Sequence, residues 1–290
     1  MSDRLPAPEL PPGREIRLPG RGTTFIRDMP GPPGAPTLLL LHGFFANADL
    51  NWFLTYPQLR GRYRVIAMDI RGHGRGIRSR DRLDLADCAD DAAAVIQALG
   101  IDRVTAVGYS MGGAIAQLLW KRHRHLVEGL VFCATAPCFN DSPRMKAAFR
   151  IVDGLVAAAR CVPGSLVRRL ARLKPAQPDA DRTNIVHWGL AELAQSDPRM
   201  LFEAMRAIGR FSSREWIGTV DVPTSVVVTR LDGLVTPDRQ LEFAAAISNT
   251  TVHHVEADHT ACASAHRIFG RALVKACADV TTGPRLSLVA

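Results

Sequence analysis

The 290-residue sequence contains no C-x-x-C pair, no internal repeat, no low-complexity tract and no apolar run of membrane-spanning length. Six cysteines, Cys88, Cys133, Cys138, Cys161, Cys262 and Cys277, are spread singly along the chain. A chain of this size needs no staples, so they are expected to be reduced thiols in a cytoplasmic protein. A membrane-crossing helix needs about 20 consecutive apolar residues, and none is present. The first residues, MSDRLPAPELPPGRE, lack the apolar core of a signal peptide. Aromatic residues make up 6% of the chain, and the net charge of +8 comes largely from scattered arginines. No basic stretch is interleaved with aromatics in the manner of a nucleic-acid reader. No nucleic-acid partner is therefore expected, and at most a weak association with an anionic membrane surface.

What is present is an alternation of buried-strand and helix patterns. Short strands are expected at 15–18 and 23–28. Continuous apolar runs that read as buried strands follow at 37–41, 64–69, 104–107, 130–133, 225–229 and 251–255. Helical spacing marks 85–99, 114–123, 239–247 and 265–278. Strands alternating with helices imply a mostly parallel sheet covered on both faces. The alternation is interrupted between residues 138 and 213. There Ser142-Pro143 and Asp197-Pro198 read as helix starts, with Val162-Pro163-Gly164, Pro175 and Pro178 as punctuation. The expected organisation is a mobile segment 1–14, a core of 15–137 and 214–280, a helical lid at 138–213 and a mobile tail 281–290.

The stretch VTAVGYSMGG (104–113) sets one serine between glycines where a strand becomes a helix. G-x-S-x-G at such a junction lifts the Ser110 hydroxyl clear of the sheet, and the helix N-terminus behind it favours negative charge. A serine hydroxyl needs a base that is held by a third group. Asp232 follows one buried strand and His259 follows the next, so the chain order is Ser, acid, His at the carboxyl edge of the sheet. Asp238 and Asp258 are rival acids, and His253 and His254 are rival bases. Backbone N–H groups of Phe44 and Met111 are the candidates for binding an oxyanion. His42 is expected to brace the loop that carries Phe44.

Together, LLHGFF (40–45), DIRGHG (69–74), GYSMGG (108–113), RLDGLVTPD (230–238) and ADHTA (257–261) resemble the α/β-hydrolase superfamily over residues 15–280. The resemblance implies an α/β fold with a mostly parallel eight-stranded sheet, helices on both faces and a helical lid. It implies a Ser110-Asp232-His259 triad that needs no metal or cofactor. Relatives often carry a serine after the DIRGHG stretch where this chain reads RGIRSR, a departure expected to affect loop packing. The serine at 110 argues against the dehalogenases and epoxide hydrolases of this fold, which place Asp there.

Three competing motifs are weaker. HHVEADH (253–259) does not have the spacing of a metallo-hydrolase run. RGHGRG (71–76) is not G-x-G-x-x-G, and GYSMGG lacks the Lys-Ser/Thr of a phosphate loop. The expected activity is hydrolysis of a small-molecule carboxylic ester with an apolar acyl chain. Phe45, Tyr109 and Trp188 are expected at the substrate, beneath apolar lid residues that include Phe149, Val152, Leu155, Val156, Leu201, Phe202 and Met205. Hydrolysis of a carbon–carbon bond, with Arg150 or Arg168 receiving a substrate carboxylate, is an alternative. Cofactor-free perhydrolysis and non-catalytic ligand binding are the others.

Overall fold

The computed structural model describes residues 8–141, 147, 149–151, 154 and 185–282. Eight strands form one sheet in the order β1-β2-β4-β3-β5-β6-β7-β8. They are β1 (Gly13–Leu18), β2 (Gly22–Met29), β3 (Thr37–Leu41), β4 (Arg64–Met68), β5 (Val104–Tyr109), β6 (Val127–Cys133), β7 (Thr224–Thr229) and β8 (Thr250–Val255). β1 and β2 pair antiparallel, as do β2 and β4, and the remaining pairs are parallel. β3 lies between β4 and β5, so the chain reverses its direction of travel across the sheet there. The crevice outside the carboxyl ends of β3 and β5 is the place where ligands bind in such sheets.

The unbroken apolar runs have a direct cause. Leu39 and Leu41 pack into one core with Ile66, Met68 and Ala106, while Leu38 and Leu40 pack into the other with Val65, Ala67 and Val107. Successive side chains point to opposite faces, and both faces are covered. α3 (Leu85–Ala98) and α4 (Met111–Arg122) cover the first face. α1 (Ala48–Trp52), α2 (Tyr56–Leu59) and the final helix (His266–Thr281) cover the second. Between β6 and β7, α5 (Ile185–Ala194) and α6 (Pro198–Arg210) stand over the carboxyl edge. α7 (Pro237–Ala245) follows β7, and α8 (Ala261–Ser264) precedes the final helix, α9.

Two boundaries differ from expectation. The segment 1–14 was expected to be mobile, yet β1 starts at Gly13, and the Pro11 and Pro12 carbonyls accept from Arg27 and from the Asp28 N–H. The Pro-Pro-Gly signal reads as loop, but Gly13 is needed beside the Phe25 ring, where a Cβ would collide. α4 starts at Met111 rather than Ala114 because Gly112 and Gly113, poor helix formers, lie inside the helix for packing reasons given below. The expectations at Ser142-Pro143, Val152, Leu155, Val156, Cys161, Val162–Gly164, Arg168, Pro175 and Pro178 lie outside the described residues.

Candidate active site

Ser110 stands between β5 and α4 with φ 52° and ψ −114°, a left-handed conformation that a side chain rarely adopts. Strain of this kind costs about 1–3 kcal/mol and persists only where the surroundings impose it. Here they do. A Cβ on Gly108 would strike the Gly112 main chain, one on Gly112 would strike the Leu41 and His42 carbonyls, and one on Gly113 would strike Thr135. The Ser110 N–H donates to the Cys133 carbonyl at 2.9 Å, and its own carbonyl accepts from Gly113 N–H and Thr135 Oγ1, both at 2.9 Å. The turn is therefore locked to β6 as well as to its own helix.

The Ser110 hydroxyl lies 3.0 Å from His259 Nε2, and His259 Nδ1 lies 2.7 Å from Asp232 Oδ2. Burial opposes ionisation of Asp232, but the His259 contact, the Val235 N–H and the Thr229 hydroxyl outweigh it and hold its pKa below the ordinary value. An ionised carboxylate can only accept, so His259 carries its proton on Nδ1 and presents Nε2 to the serine. Asp232 is fixed from several sides. Oδ1 accepts from the N–H groups of Leu234 and Val235 at 2.9 and 2.8 Å, and Oδ2 accepts from Thr229 Oγ1 at 2.8 Å. Gln240 closes this network, donating to Thr229 Oγ1 at 2.8 Å and to the Val235 carbonyl at 2.6 Å while accepting from the Thr229 N–H at 3.1 Å.

The loop after β3 completes the site. A Cβ built on Gly43 would stand 3.6 Å from that of Ser110, so the loop lies directly beside the serine. Asn51 Oδ1 accepts the Gly43 N–H at 2.9 Å. The N–H of Phe44 has no hydrogen-bonding partner among the described residues. That of Met111 occupies the first helical position, where a helix offers no internal acceptor. His42 braces the loop as expected: Ile70 N–H donates to its Nε2 at 2.9 Å, and its Nδ1 donates to the Gly43 carbonyl at 2.8 Å. Burial lowers the His42 pKa to about 4, and burial with the neighbouring His42 lowers that of His73 to about 3, so both rings are neutral braces.

The structure separates the three residues expected at the substrate. Phe45 is 53% exposed, with φ 61°, its ring 4.2 Å from that of Phe44 at the rim of the crevice. Tyr109 turns the other way, which corrects the expectation of a substrate contact. Its ring packs against Trp52 and Phe269, and its hydroxyl donates to the His259 carbonyl at 2.8 Å. In strand β5 the residue before Ser110 must point to the opposite face. Trp188 is buried edge-on against Phe53, 5.1 Å between ring centroids. The rivals are otherwise engaged or remote: His253 faces Asp279 at 3.0 Å, Asp258 accepts from Thr260 and Ser264, and Asp238 is exposed in the first turn of α7. Among the described residues no group of three or more His, Cys, Asp or Glu is arranged to hold a metal ion.

Sequence reasoning missed the residues that tie α5 and α6 to the crevice. Asp69 accepts from the N–H groups of Ala48 and Arg75 at 2.9 and 2.8 Å and joins the loops after β3 and β4. Arg75 reaches Asp49 at 2.7 Å and lies 3.8 Å from Glu192 of α5, whose carboxylate accepts from Asn47 Nδ2 at 2.6 Å. In the RGIRSR departure, Arg78 donates to the carbonyls of Gly74 and Gln195, a packing role between that loop and the end of α5. Only the charge of these residues was visible in the sequence, and their partners lie far along the chain.

Comparison with known proteins follows the same lines. A family model described as alpha/beta hydrolase fold matches residues 36–158. The pimeloyl-[acyl-carrier protein] methyl ester esterase of Neisseria meningitidis is 32% identical over 219 residues, covering 73% of this chain and 80% of that protein. The dihydrolipoyllysine-residue acetyltransferase component of the acetoin cleaving system of Pseudomonas putida is 36% identical over 86 residues. That match spans 23% of the Pseudomonas protein, and those to uncharacterized mycobacterial proteins span 31%, so the chain covers about a quarter to a third of these relatives. Among solved structures, the enol-lactonase of Burkholderia xenovorans LB400 superposes with a TM-score of 0.72 at 20% identity, over 91% of this chain and 99% of that one. The bromoperoxidase of Bacillus anthracis gives 0.73 at 19%, over 92% and 99%. At these identities the likeness is one of fold.

Proposed function

The chain belongs to the α/β-hydrolase family, and on that premise we propose that it is a serine hydrolase that cleaves a carboxylic ester with an apolar acyl chain. The observation that carries this reading is the unbroken line from Ser110 Oγ through His259 to Asp232, at 3.0 and 2.7 Å, ending on a serine held in a strained turn. His259 takes the serine proton as Oγ attacks the ester carbonyl, while Asp232 holds the imidazole tautomer and stabilises the imidazolium. The N–H groups of Phe44 and Met111 receive the oxyanion, each such donor contributing about 100- to 1,000-fold in rate. His259 then protonates the leaving alcohol, and water repeats the sequence on the acyl-enzyme.

The apolar-acyl preference is supported by the exposed Phe45 beside Phe44 at the rim. The helices between β6 and β7 act as a lid over the acyl chain in this reading. The test is turnover of p-nitrophenyl esters of rising chain length by the parent and by Ser110→Ala. Loss of activity in the variant with an optimum beyond acetate is expected; unchanged turnover in Ser110→Ala sinks the proposal. If the parent is labelled at Ser110 by a fluorophosphonate yet hydrolyses no ester, the substrate class is wrong, and carbon–carbon hydrolysis or perhydrolysis replaces it.

A further inference from the structure

Gly43, at the start of the loop after β3, has no side chain to fix its main chain, and glycine explores φ and ψ more widely than any other residue. Yet the next N–H along the chain, that of Phe44, is the one that must meet an oxyanion. The structure holds Gly43 from both sides. Its N–H donates to Asn51 Oδ1 at 2.9 Å. Its carbonyl accepts from His42 Nδ1 at 2.8 Å and from the Ala46 N–H at 3.3 Å. That carbonyl and the Phe44 N–H belong to one planar trans peptide and point in opposite directions, so holding the carbonyl aims the donor. The contact with Asn51 holds the preceding peptide. With both peptides held, the φ and ψ between them are fixed as well.

Strain in the same loop shows that these contacts are needed. Phe45 has φ 61°, in the left-handed region that a phenylalanine rarely enters. Such a conformation persists only where the surroundings impose it. The Phe45 side chain is exposed and rests on Phe44, so its burial does not impose it. The main-chain contacts of Gly43 and Ala46 do.

Asn51 is a costly choice for its position. It is 4% exposed, and its Nδ2 is buried with no hydrogen-bonding partner among the described residues. A buried amide with one group unpaired lowers stability, and an apolar residue of like size carries no such unpaired group. The hydrogen bond that its side chain makes is the one to Gly43. α1, which presents Asn51, also relates this loop to the nucleophile. Asn47 Oδ1 caps the helix by accepting the Leu50 N–H at 2.8 Å, and the Ala48 N–H donates to Asp69 at 2.9 Å. Beside Asn51, the Trp52 ring packs edge-on against Tyr109, the residue before Ser110. One short helix therefore sets the loop after β3 and the end of β5 relative to each other.

We propose that Asn51 is a positioning residue for the oxyanion donor of Phe44, acting through the Gly43 main chain. This role rests on the reading of Ser110 as a nucleophile that forms an oxyanion. The variants are Asn51→Ala and Asn51→Leu, the second of which keeps the bulk while removing both amide groups. The first readout is the rate at which a fluorophosphonate labels Ser110, which requires no ester to be the substrate. The second is affinity for an alkyl trifluoromethyl ketone. Ser110 Oγ adds to its carbonyl carbon, the serine proton passes to His259, and the ketone oxygen becomes an oxyanion facing Phe44 and Met111. Both should fall by about tenfold or more, with labelling still running to completion and the KM for an ester within about twofold of the parent. A labelling rate and a ketone affinity within about twofold of the parent overturn the proposal and leave the serine mechanism standing. So does a lower thermal melt or a smaller labelled fraction at an unchanged rate per labelled chain, since Asn51 would then serve folding alone. A parent that neither labels nor turns over any ester overturns the serine reading itself, and this role with it.

Discussion

The hydroxyl of Tyr109 donates to the main-chain carbonyl of His259 at 2.8 Å, so the residue before Ser110 in sequence holds the backbone of the residue that faces Ser110 in space. The two ends of the Ser–His contact are thereby coupled across 150 residues of chain. Tyr109→Phe removes the donor and keeps the ring packing on Trp52 and Phe269. One buried hydrogen bond is worth about 1 kcal/mol, which corresponds to about fivefold in rate if it is spent on the position of the imidazole. The expected result in steady-state kinetics is a kcat reduced by about that factor with KM unchanged.

Gln240 is a positioning residue for Asp232, through Thr229 and the Val235 carbonyl. Gln240→Leu strands these buried groups and is expected to lower kcat about tenfold and to destabilise the fold by about 2 kcal/mol. Gln240→Glu keeps the shape of the side chain but puts an oxygen where Nε2 donates to Thr229 and Val235, and it too is expected to lower kcat in steady-state kinetics.

Gly112 cannot accept a side chain, because a Cβ would enter the space of the Leu41 and His42 carbonyls, which are backbone and cannot swing away. Gly112→Ala should destabilise by at least about 3 kcal/mol or prevent soluble folding. Gly100→Ala is the control. Gly100 has a positive φ with open space around it, so the cost there is about 1 kcal/mol. Denaturant midpoints of the two variants distinguish crowding from backbone conformation.

Acid lability should come from the buried neutral histidines. His42 and His73 have folded pKa values of about 4 and about 3, below the ordinary value near 6.5. The unfolded chain therefore binds more protons than the folded one between those limits, and stability falls as pH drops from about 6.5 toward 4. His42 alone accounts for about 3 kcal/mol over that interval. Burial raises the Asp69 and Glu192 carboxyls, which works in the opposite sense at the lower end of the range. Urea midpoints followed from neutral pH to about pH 4 should decline in the parent and decline less in His73→Gln.

The strands and main helices were legible in the sequence because continuous apolar runs and helical spacing are local signals, and β3, bounded by Pro36 and His42, matched residue for residue. α1 and α2 escaped because five and four residues are too few to show a helical period. The α4 boundary moved because glycine reads as a helix breaker, whereas here it makes room for the neighbouring backbone. Tyr109 was expected at the substrate, whereas its ring is buried against Trp52 and Phe269, partners that lie far from it along the chain.

By itself the chain determined which residues could react. A serine in a strand-turn-helix junction, an acid after the next-to-last strand and a histidine after the last follow from sequence order, because parallel strands bring successive carboxyl ends to one edge. Whether those side chains meet at 3.0 and 2.7 Å was a tertiary matter, as were the Gln240 and Tyr109 supports and the Asn47–Glu192 tie across 145 residues. Such contacts depend on how separate elements pack in three dimensions. A local pattern shows which side chains an element presents; only the assembled sheet decides what each of them faces.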